Sequence, residues 1–333
     1  MAVVQENPSG IVLFAKHSGL TSFSSLWTIK NSLHTKKVGH TGTLDSFADG
    51  LLVVMVGKMT KLVSHITAFD KEYEAIIVFG QETDTLDPTG TIVLEKTLPR
   101  YKDLVNVLDS FKGNLMQQPP LYSALHIDGK RASEIAREGG FVEMDFRPIT
   151  IFDLELKDVL LQDDKVVLAH IRVHCSKGTY IRSLARDIAK ALGSCGYVGA
   201  LRRTKVGKFE LTKSDGSHLL PDFSLSNYNI TEKKLNCSEK NPQLETVALH
   251  SLSFEMANDC GFKPVILKKE FYDDFFHGRF ITKNFFENSV KNELGCGEPE
   301  KKSLAVFSSE EQFLGLVSVI GKKYSYDFVI PKR

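Results

Sequence analysis

The residues best suited to chemistry lie in one short loop. Between Gly39 and Asp45 the chain places two glycines, an imidazole and a carboxylate, within the sequence KVGHTGTLD that begins at Lys37. Glycine allows another chain to approach closely, and polar loops between apolar elements often carry catalytic groups. Asp45 is therefore a candidate catalytic carboxylate, although a helix cap or a turn residue fits the local spacing equally well.

Several familiar sites fail on spacing. A calcium loop beginning at Asp45 would need oxygen ligands where Phe47 and Val56 stand. Gly57-Lys58 lacks the upstream glycine and the following Ser or Thr of a phosphate loop. His40 has no partner at metal-ligand spacing, and the chain has no Gly-x-Ser-x-Gly elbow for acyl transfer. We therefore expect no metal site and no nucleotide-triphosphate or serine-hydrolase chemistry.

Charge is unevenly distributed along the 333 residues, although the net charge is only +1. Residues 171–210 contain nine Lys and Arg against two acidic residues, a local excess of +7. Such a zone suits a polyanionic partner, since each phosphate contact releases a counterion, but charge clusters are more often solvated faces. Five scattered cysteines, no membrane-spanning run and no export signal predict a reduced, cytoplasmic protein.

The elements that must position this loop are strands mixed with helices. Residues 10–15 predict a buried strand, and Thr21 or Ser22 begins a helix whose apolar stripe contains Phe23, Leu26, Trp27 and Leu33. Residues 72–79 alternate as a strand with Tyr73 on its apolar face. Strand and helix patterns follow one another without βαβ regularity. We therefore predict an α+β fold with a mixed or antiparallel sheet.

The sequence also predicts a second helix and a division of the chain into two domains. Residues 179–192 predict the clearest helix, with Arg182 and Arg186 beside its apolar stripe and facing away from the core. Residues 213–245 are polar and predict a linker or insertion. They separate a larger domain, 1–212, from a small β-rich domain, 246–333.

The loop also belongs to an ordered series of motifs. These are KVGHTGTLD from Lys37 with Ala48 and GLL from Gly50, DKEY from Asp70 with GQETDT from Gly80, PPLYSA from Pro119 with GKRA from Gly129, CSKGTYIR from Cys175, and LRRT from Leu201. Together they resemble the TruB-type tRNA pseudouridine-55 synthases over residues 10–211. Two departures are His17 and Ser46, where the family usually has proline, so that loop stiffness differs while no chemical group is lost.

The resemblance implies a reaction and a set of roles. The family converts a flipped uridine to pseudouridine without redox change or energy input, so no cofactor is expected. Asp45 matches the family's nucleophile and Arg182 its guanidinium partner. Tyr73 would stack on the base and take the C5 proton, and His40 would fill the space that the base leaves. Tyr180 and Leu201 would line the pocket.

The resemblance also implies partners. We expect the T-stem-loop of tRNA as substrate, an insertion at about 115–147 that contacts RNA, and a C-terminal domain that is possibly PUA-like. We also expect a monomer in the cytoplasm with no membrane and no obligatory protein partner. Two alternatives remain open, namely an RNA-binding or tRNA-folding module and a guide-RNA-dependent pseudouridine synthase.

Overall fold

The structure is a computed structural model that describes residues 8–123, 125–127, 130, 131, 135, 144–236, 246–287 and 302–330. Parts of the predicted RNA-contacting insertion, namely residues 124, 128, 129, 132–134 and 136–143, lie outside the described residues, as do residues 237–245. The helices are α1 Ser22–Ser32, α2 Val63–Thr67, α3 Tyr101–Leu108, α4 Ile181–Ala191, α5 Phe254–Asp259 and α6 Tyr272–Phe276.

The strands are β1 Gly10–Lys16, β2 Val38–His40, β3 Asp49–Val56, β4 Lys71–Phe79, β5 Gln81–Thr83, β6 Ile92–Glu95, β7 Gly113–Gln117, β8 His126–Ile127, β9 Lys130–Arg131, β10 Arg147–Gln162, β11 Lys165–Cys175, β12 Gly196–Val206, β13 Phe209–Glu210, β14 Tyr228–Asn229, β15 Lys234–Leu235, β16 Lys263–Ile266, β17 Lys302–Phe307, β18 Phe313–Ile320 and β19 Lys323–Val329.

One large sheet organises the molecule. Its strand order is β1-β3-β12-β4-β11-β10-β7, with β2 beside β3 and β13 beside β12. β3 and β12 run parallel and the other pairs are antiparallel. The sheet is therefore mixed, and the predicted α+β class with a mixed sheet is confirmed.

Strand alternation places helices α1, α3 and α4 on one face of this sheet. Ala75 and Ile77 of β4 pack in one core with α3 and α4. On β3, Gly50 lies opposite Arg203 of β12. Because strand side chains alternate, Leu52 lies on the same face as Gly50, and it packs there against α1. Helices α1, α3 and α4 therefore share the face that carries Tyr73.

The opposite face is covered by the C-terminal half of the chain. Strands β16–β19 form a four-stranded sheet in that order. Its Phe307 and Leu316 pack in one core cluster with Leu13 and Met55 from the large sheet. Nearby, Phe223 packs behind β4 and β12, so that the described part of the polar segment 213–245 lies on the sheet. No helix of the described residues is long and apolar enough to span a membrane.

Two sequence predictions about helix faces are wrong. Arg182 was expected to face away from the core, but it is only 4% exposed, because the start of α4 points it at the catalytic loop. Phe23 and Trp27 were expected in the apolar stripe of α1, but both are exposed. The buried face of α1 consists of Ser22, Ser25, Leu26 and Ile29.

Candidate active site

The predicted catalytic loop opens onto a cavity of about 700 Å³. The loop joins β2 to β3 and carries Asp45. Of the predicted site residues, the cavity wall contains Asp45, Tyr73, Tyr180, Arg182 and Leu201. Pockets of this size commonly hold small ligands. Tertiary structure has thus brought together side chains from the loop, β4, α4 and β12.

Asp45 and Arg182 form an ion pair within this cavity, although they stand 137 positions apart in the sequence. Arg182 Nε lies 2.9 Å from Asp45 Oδ2, and Nη2 donates to Oδ1 over 3.2 Å. The Arg182 side chain is 5% exposed, whereas that of Asp45 is 39% exposed. The guanidinium is therefore enclosed behind a carboxylate that faces the cavity.

Arg182 is held on every side by further acceptors. Nη1 donates to the carbonyl of Thr85 over 2.9 Å and lies 3.4 Å from Asp87 Oδ2. Nη2 also donates to the carbonyl of Tyr122 over 3.0 Å. A planar guanidinium matches such a set of acceptors, which an ammonium group would not. Arg182 therefore fixes the orientation of Asp45 as well as its charge.

Opposing effects act on the ionisation of Asp45. Burial in the cavity wall raises the pKa of Asp45, the charge of Arg182 opposes this rise, and Asp87 adds to it. Desolvation disfavours a charged carboxylate, while a cation within a few ångströms favours it. The site thus holds a carboxylate that is partly stripped of water and paired with a fixed cation, and groups with perturbed pKa values in a cleft are candidates for functional sites.

Tyr73 reaches the cavity from β4 and is paired with a second buried arginine. Arg203 lies opposite Tyr73 on the neighbouring strand β12, and its charge acts on the Tyr73 hydroxyl. Burial raises the pKa of Tyr73, and Arg203 partly opposes this. The Arg203 side chain also donates to the carbonyls of Leu51, over 2.8 Å, and Gly42, over 3.2 Å. Arg203 thus ties the tyrosine strand to the catalytic loop.

Glycine is required where β3 meets β12. Gly50 has φ of +111°, and a Cβ there would lie 2.4 Å from the carbonyl oxygen of Arg203. Only glycine accommodates both the backbone conformation and the close approach. This contact fixes the position of β3 relative to β12. It therefore also fixes the adjoining end of the loop that carries Asp45.

Two anchors hold the catalytic loop from behind. Lys16 is fully buried, and its ammonium donates to the carbonyls of Leu20 and Ala48, each over 2.6 Å. Burial lowers the pKa of Lys16 to about 8. Ser22, the first residue of α1, accepts from the backbone N–H of Leu44 over 2.8 Å, and its hydroxyl donates to the Leu44 carbonyl over 3.1 Å. Leu44, which precedes Asp45, and Ala48, which follows the turn, are therefore both held by hydrogen bonds.

Residues at the end of the edge strand β7 hold the start of α4 by hydrogen bonds. Gln117 is buried and accepts from the backbone N–H of Tyr180 over 2.8 Å, while its amide donates to the Tyr180 carbonyl over 3.1 Å. Ser183 donates to the carbonyl of Gln118 over 2.8 Å. These bonds hold the turn of α4 from which Arg182 projects.

His40 is the one predicted site residue outside the cavity wall. It lies on β2, where it pairs with Val54 of β3, next to the lining residue Thr41. Its Nδ1 is buried without a hydrogen-bond partner among the described residues. Burial lowers the pKa of His40 and Arg203 lowers it further, which favours the neutral ring.

The sequence patterns did not place Lys16, Gln117, Asp87 or Arg203 at the site. Arg203 and Gln117 lie in or beside motif blocks, and that position was the only signal available. Their contacts cross long stretches of chain, and no local periodicity encodes them. The described residues contain no group of His, Cys, Asp and Glu that could hold a metal ion.

Comparison with known proteins identifies the class. The family model for the N-terminal domain of TruB family pseudouridylate synthases matches residues 30–181, and that for the tRNA pseudouridylate synthase B C-terminal domain matches residues 182–237. The tRNA pseudouridine synthase B of Treponema denticola is 40% identical, with 97% of this chain and 99% of the relative covered. That of Borreliella burgdorferi is 47% identical over 62% of this chain and 72% of the relative.

A solved structure agrees at the level of the fold. A chain in a Cbf5–Nop10–Gar1 complex matches with a TM-score of 0.63 and 21% identity, covering 97% of this chain and 85% of that chain. Fold and family matches together define the class as pseudouridine synthases. The chain belongs to the TruB family of pseudouridylate synthases, and the predicted family and class of enzyme are confirmed.

Proposed function

We propose that this enzyme isomerises uridine-55 in the T-loop of tRNA to pseudouridine, with Asp45 as the nucleophile. The relatives named tRNA pseudouridine synthase B support tRNA as the substrate. The observation that carries the role of Asp45 is its pairing with Arg182, which holds an accessible carboxylate in a cavity of about 700 Å³.

The proposed reaction breaks the C1′–N1 bond and forms a C1′–C5 bond on the same uridine. The Asp45 carboxylate assists departure of the base, and the detached uracil turns within the cavity. After C5 joins the ribose, C5 loses its proton while N1 gains one, so that atoms and charge balance without a cofactor. Arg182 keeps Asp45 ionised and oriented while both are shielded from water.

Other side chains receive roles from their places around the cavity. Tyr73 stacks on the flipped base, and its hydroxyl, which feels the charge of Arg203, accepts the C5 proton. Tyr180 and Leu201 enclose the base from α4 and β12. His40, neutral and beside the cavity, enters the RNA loop where the target base stood. Base flipping costs a few kcal/mol, which these contacts offset.

The proposal also covers organisation and setting. We propose that residues 1–212 form the catalytic domain, that the insertion at about 115–147 grips RNA, and that residues 246–333 form a small β domain of PUA-like type behind a polar insertion at 213–245. We further propose that the protein acts in the cytoplasm as a monomer, without an obligatory protein partner and without a cofactor.

Release of tritium from C5-labelled uridine in a tRNA transcript tests the function directly. The purified chain alone should release tritium from a normal transcript and not from one in which uridine-55 is cytidine. Asp45→Asn keeps the shape of the side chain, so it should bind RNA but lower turnover by several orders of magnitude. Full product from this variant would refute the catalytic role.

The same assay separates the alternatives. Activity that requires an added guide RNA and protein partners would identify a guide-dependent enzyme. Tight tRNA binding without tritium release under any of these conditions would identify a binding or folding module.

A further inference from the structure

Helix α1, which holds the loop of Asp45 through Ser22, presents two large aromatic side chains to solvent. Phe23 is 73% exposed and Trp27 66% exposed. They stand four residues apart, so they lie on one face of the helix. The opposite face, with Leu26 and Ile29, already fills the core. The exposed rings therefore contribute little to the fold, and paired exposed aromatics often mark a binding surface.

The charged side chains that the α1 segment exposes have one sign. Residues 16–44 contain no Asp or Glu and four lysines, of which Lys16 is buried and does not belong to this surface. Lys30 lies over the Phe23 ring, with its Nζ 5.1 Å from the ring centroid. Lys36 and Lys37 are exposed just beyond the end of α1. Aromatic rings interleaved with cations, in a stretch free of anions, match single-stranded nucleic acid, whose bases stack while its phosphates are neutralised.

The helix that carries this surface is attached directly to the loop of Asp45. The first residue of α1, Ser22, makes two hydrogen bonds with Leu44, which directly precedes Asp45. At 1.5 Å per residue, Trp27 lies roughly 7.5 Å further along the helix axis than Ser22. A strand whose target uridine occupies the cavity therefore needs only a few further nucleotides to reach Trp27.

We propose that the α1 surface, defined as Phe23, Trp27 and Lys30, stacks unpaired bases of the same RNA that delivers the uridine to Asp45. The proposal rests on the proposed function, because it takes the substrate to be RNA. It adds a second contact region on this chain, outside the cavity. Phe23 and Trp27 provide the stacking faces, and Lys30, Lys36 and Lys37 neutralise the adjoining phosphates.

The chain offers a direct probe, since Trp27 is its only tryptophan. The full-length chain carrying Asp45→Asn is titrated with a tRNA transcript while tryptophan fluorescence and its quenching by acrylamide are followed. RNA should quench the fluorescence and protect Trp27 from acrylamide. A stem-loop with abasic sites beside the target uridine should give less quenching if the stacked bases lie there.

Matched variants in the otherwise unchanged enzyme give the energetic test. Loss of a stacking ring should raise the RNA Kd and the KM for tRNA by about 5- to 100-fold in Phe23→Ala and Trp27→Ala, with kcat little changed. Trp27→Phe should restore most of the affinity. Phe280→Ala removes a ring that is 85% exposed elsewhere and should leave Kd unchanged.

The outcomes are distinguishable. Unchanged Kd in both alanine variants, or a Trp27 that stays accessible at saturating RNA, would overturn the inference while tritium release still supports the proposed function. Protection of Trp27 that depends on protein concentration without RNA would also overturn it, in favour of contact between two copies. Failure of the unchanged enzyme to release tritium, with Trp27 nevertheless quenched by RNA, would refute the function alone.

Discussion

Asp45 combines two requirements that oppose each other. It faces a cavity that excludes much of the solvent, which raises its pKa, and it must be ionised to serve as the proposed nucleophile. Arg182 reconciles them because it stays charged at any ordinary pH and is locked by Thr85, Asp87 and Tyr122. The guanidinium thus replaces solvent as the stabiliser of the carboxylate.

The pKa of Asp45 predicts the acid limb of the pH–rate profile. Because burial raises this pKa, kcat/KM should fall with decreasing pH at values above about 3.9, the ordinary pKa of aspartate. Asp87 contributes to the rise through its like charge. Asp87→Asn should therefore lower the pKa of Asp45 and move the acid limb to lower pH.

A neighbouring carboxylate provides the control. Asp84→Asn alters the same loop at an exposed position and should leave the limb where it is. Single-turnover tritium release between about pH 4 and 7 measures both variants. An acid limb that moves to higher pH in Asp87→Asn would show that Asp87 acts through Arg182 rather than on Asp45.

At the scale of elements, the site depends on how β7 and α4 are joined. The side chain of Gln117 bonds both the N–H and the carbonyl of Tyr180, two residues before Arg182. β7 is also the strand that leads into the predicted RNA-contacting insertion. These two hydrogen bonds thus connect the start of that insertion to the segment that carries Arg182.

Gln117→Glu is predicted to make activity dependent on the protonation of residue 117. A carboxylate cannot donate to the Tyr180 carbonyl and repels it, whereas the protonated acid restores a donor. The activity of this variant relative to the unchanged enzyme should therefore rise as pH falls. Gln117→Met, which loses both bonds, should have lower kcat at all pH values with KM little changed.

The adjacent glutamine makes a matched control. Gln118 donates its side-chain amide to the Met144 carbonyl over 3.1 Å, away from α4. Gln118→Glu should therefore show no such pH-dependent recovery. Equal pH–activity profiles for Gln117→Glu and the unchanged enzyme would contradict the role given to the hydrogen bonds between Gln117 and Tyr180.

At the scale of the whole molecule, the two faces of the large sheet pack against different parts of the chain. One face carries α1, α4 and the cavity, while the other supports the C-terminal sheet through a shared core. Phe307 is fully buried in that core, with its ring centroid 4.5 Å from that of Phe254. The proposed domains are therefore joined by packing as well as by the chain.

A shared core predicts cooperative unfolding. Phe307→Ala should lower the free energy of unfolding by about 3–5 kcal/mol. Calorimetry should show one transition that moves as a whole, because loss of this ring also loosens β1 and β3. Phe280→Ala, at an exposed position, should change stability by less than about 0.5 kcal/mol. Two separate transitions, of which only the smaller moves, would indicate that the C-terminal domain folds independently.

The sequence by itself determined the mixed α+β class, the strand that carries Tyr73 and the loop that carries Asp45. Alternation along β4 is a local property of the chain, since side-chain direction follows a period of two. The ordered motifs likewise identified the family, because each motif is contiguous in the sequence. The motifs alone indicate Asp45, Tyr73, Arg182, Tyr180 and Leu201 as site residues, and the roles of these residues stay predictions.

Only the tertiary structure decided which sides of the helices are buried. Periodicity placed Phe23 and Trp27 in an apolar stripe and Arg182 on a solvated face, and both assignments were wrong. A helix buries whichever face the sheet meets, and that depends on pairings between distant strands such as β3 and β12. The buried anchors Lys16 and Arg203 escaped prediction for the same reason, since their acceptors come from loops and strands that only folding brings near.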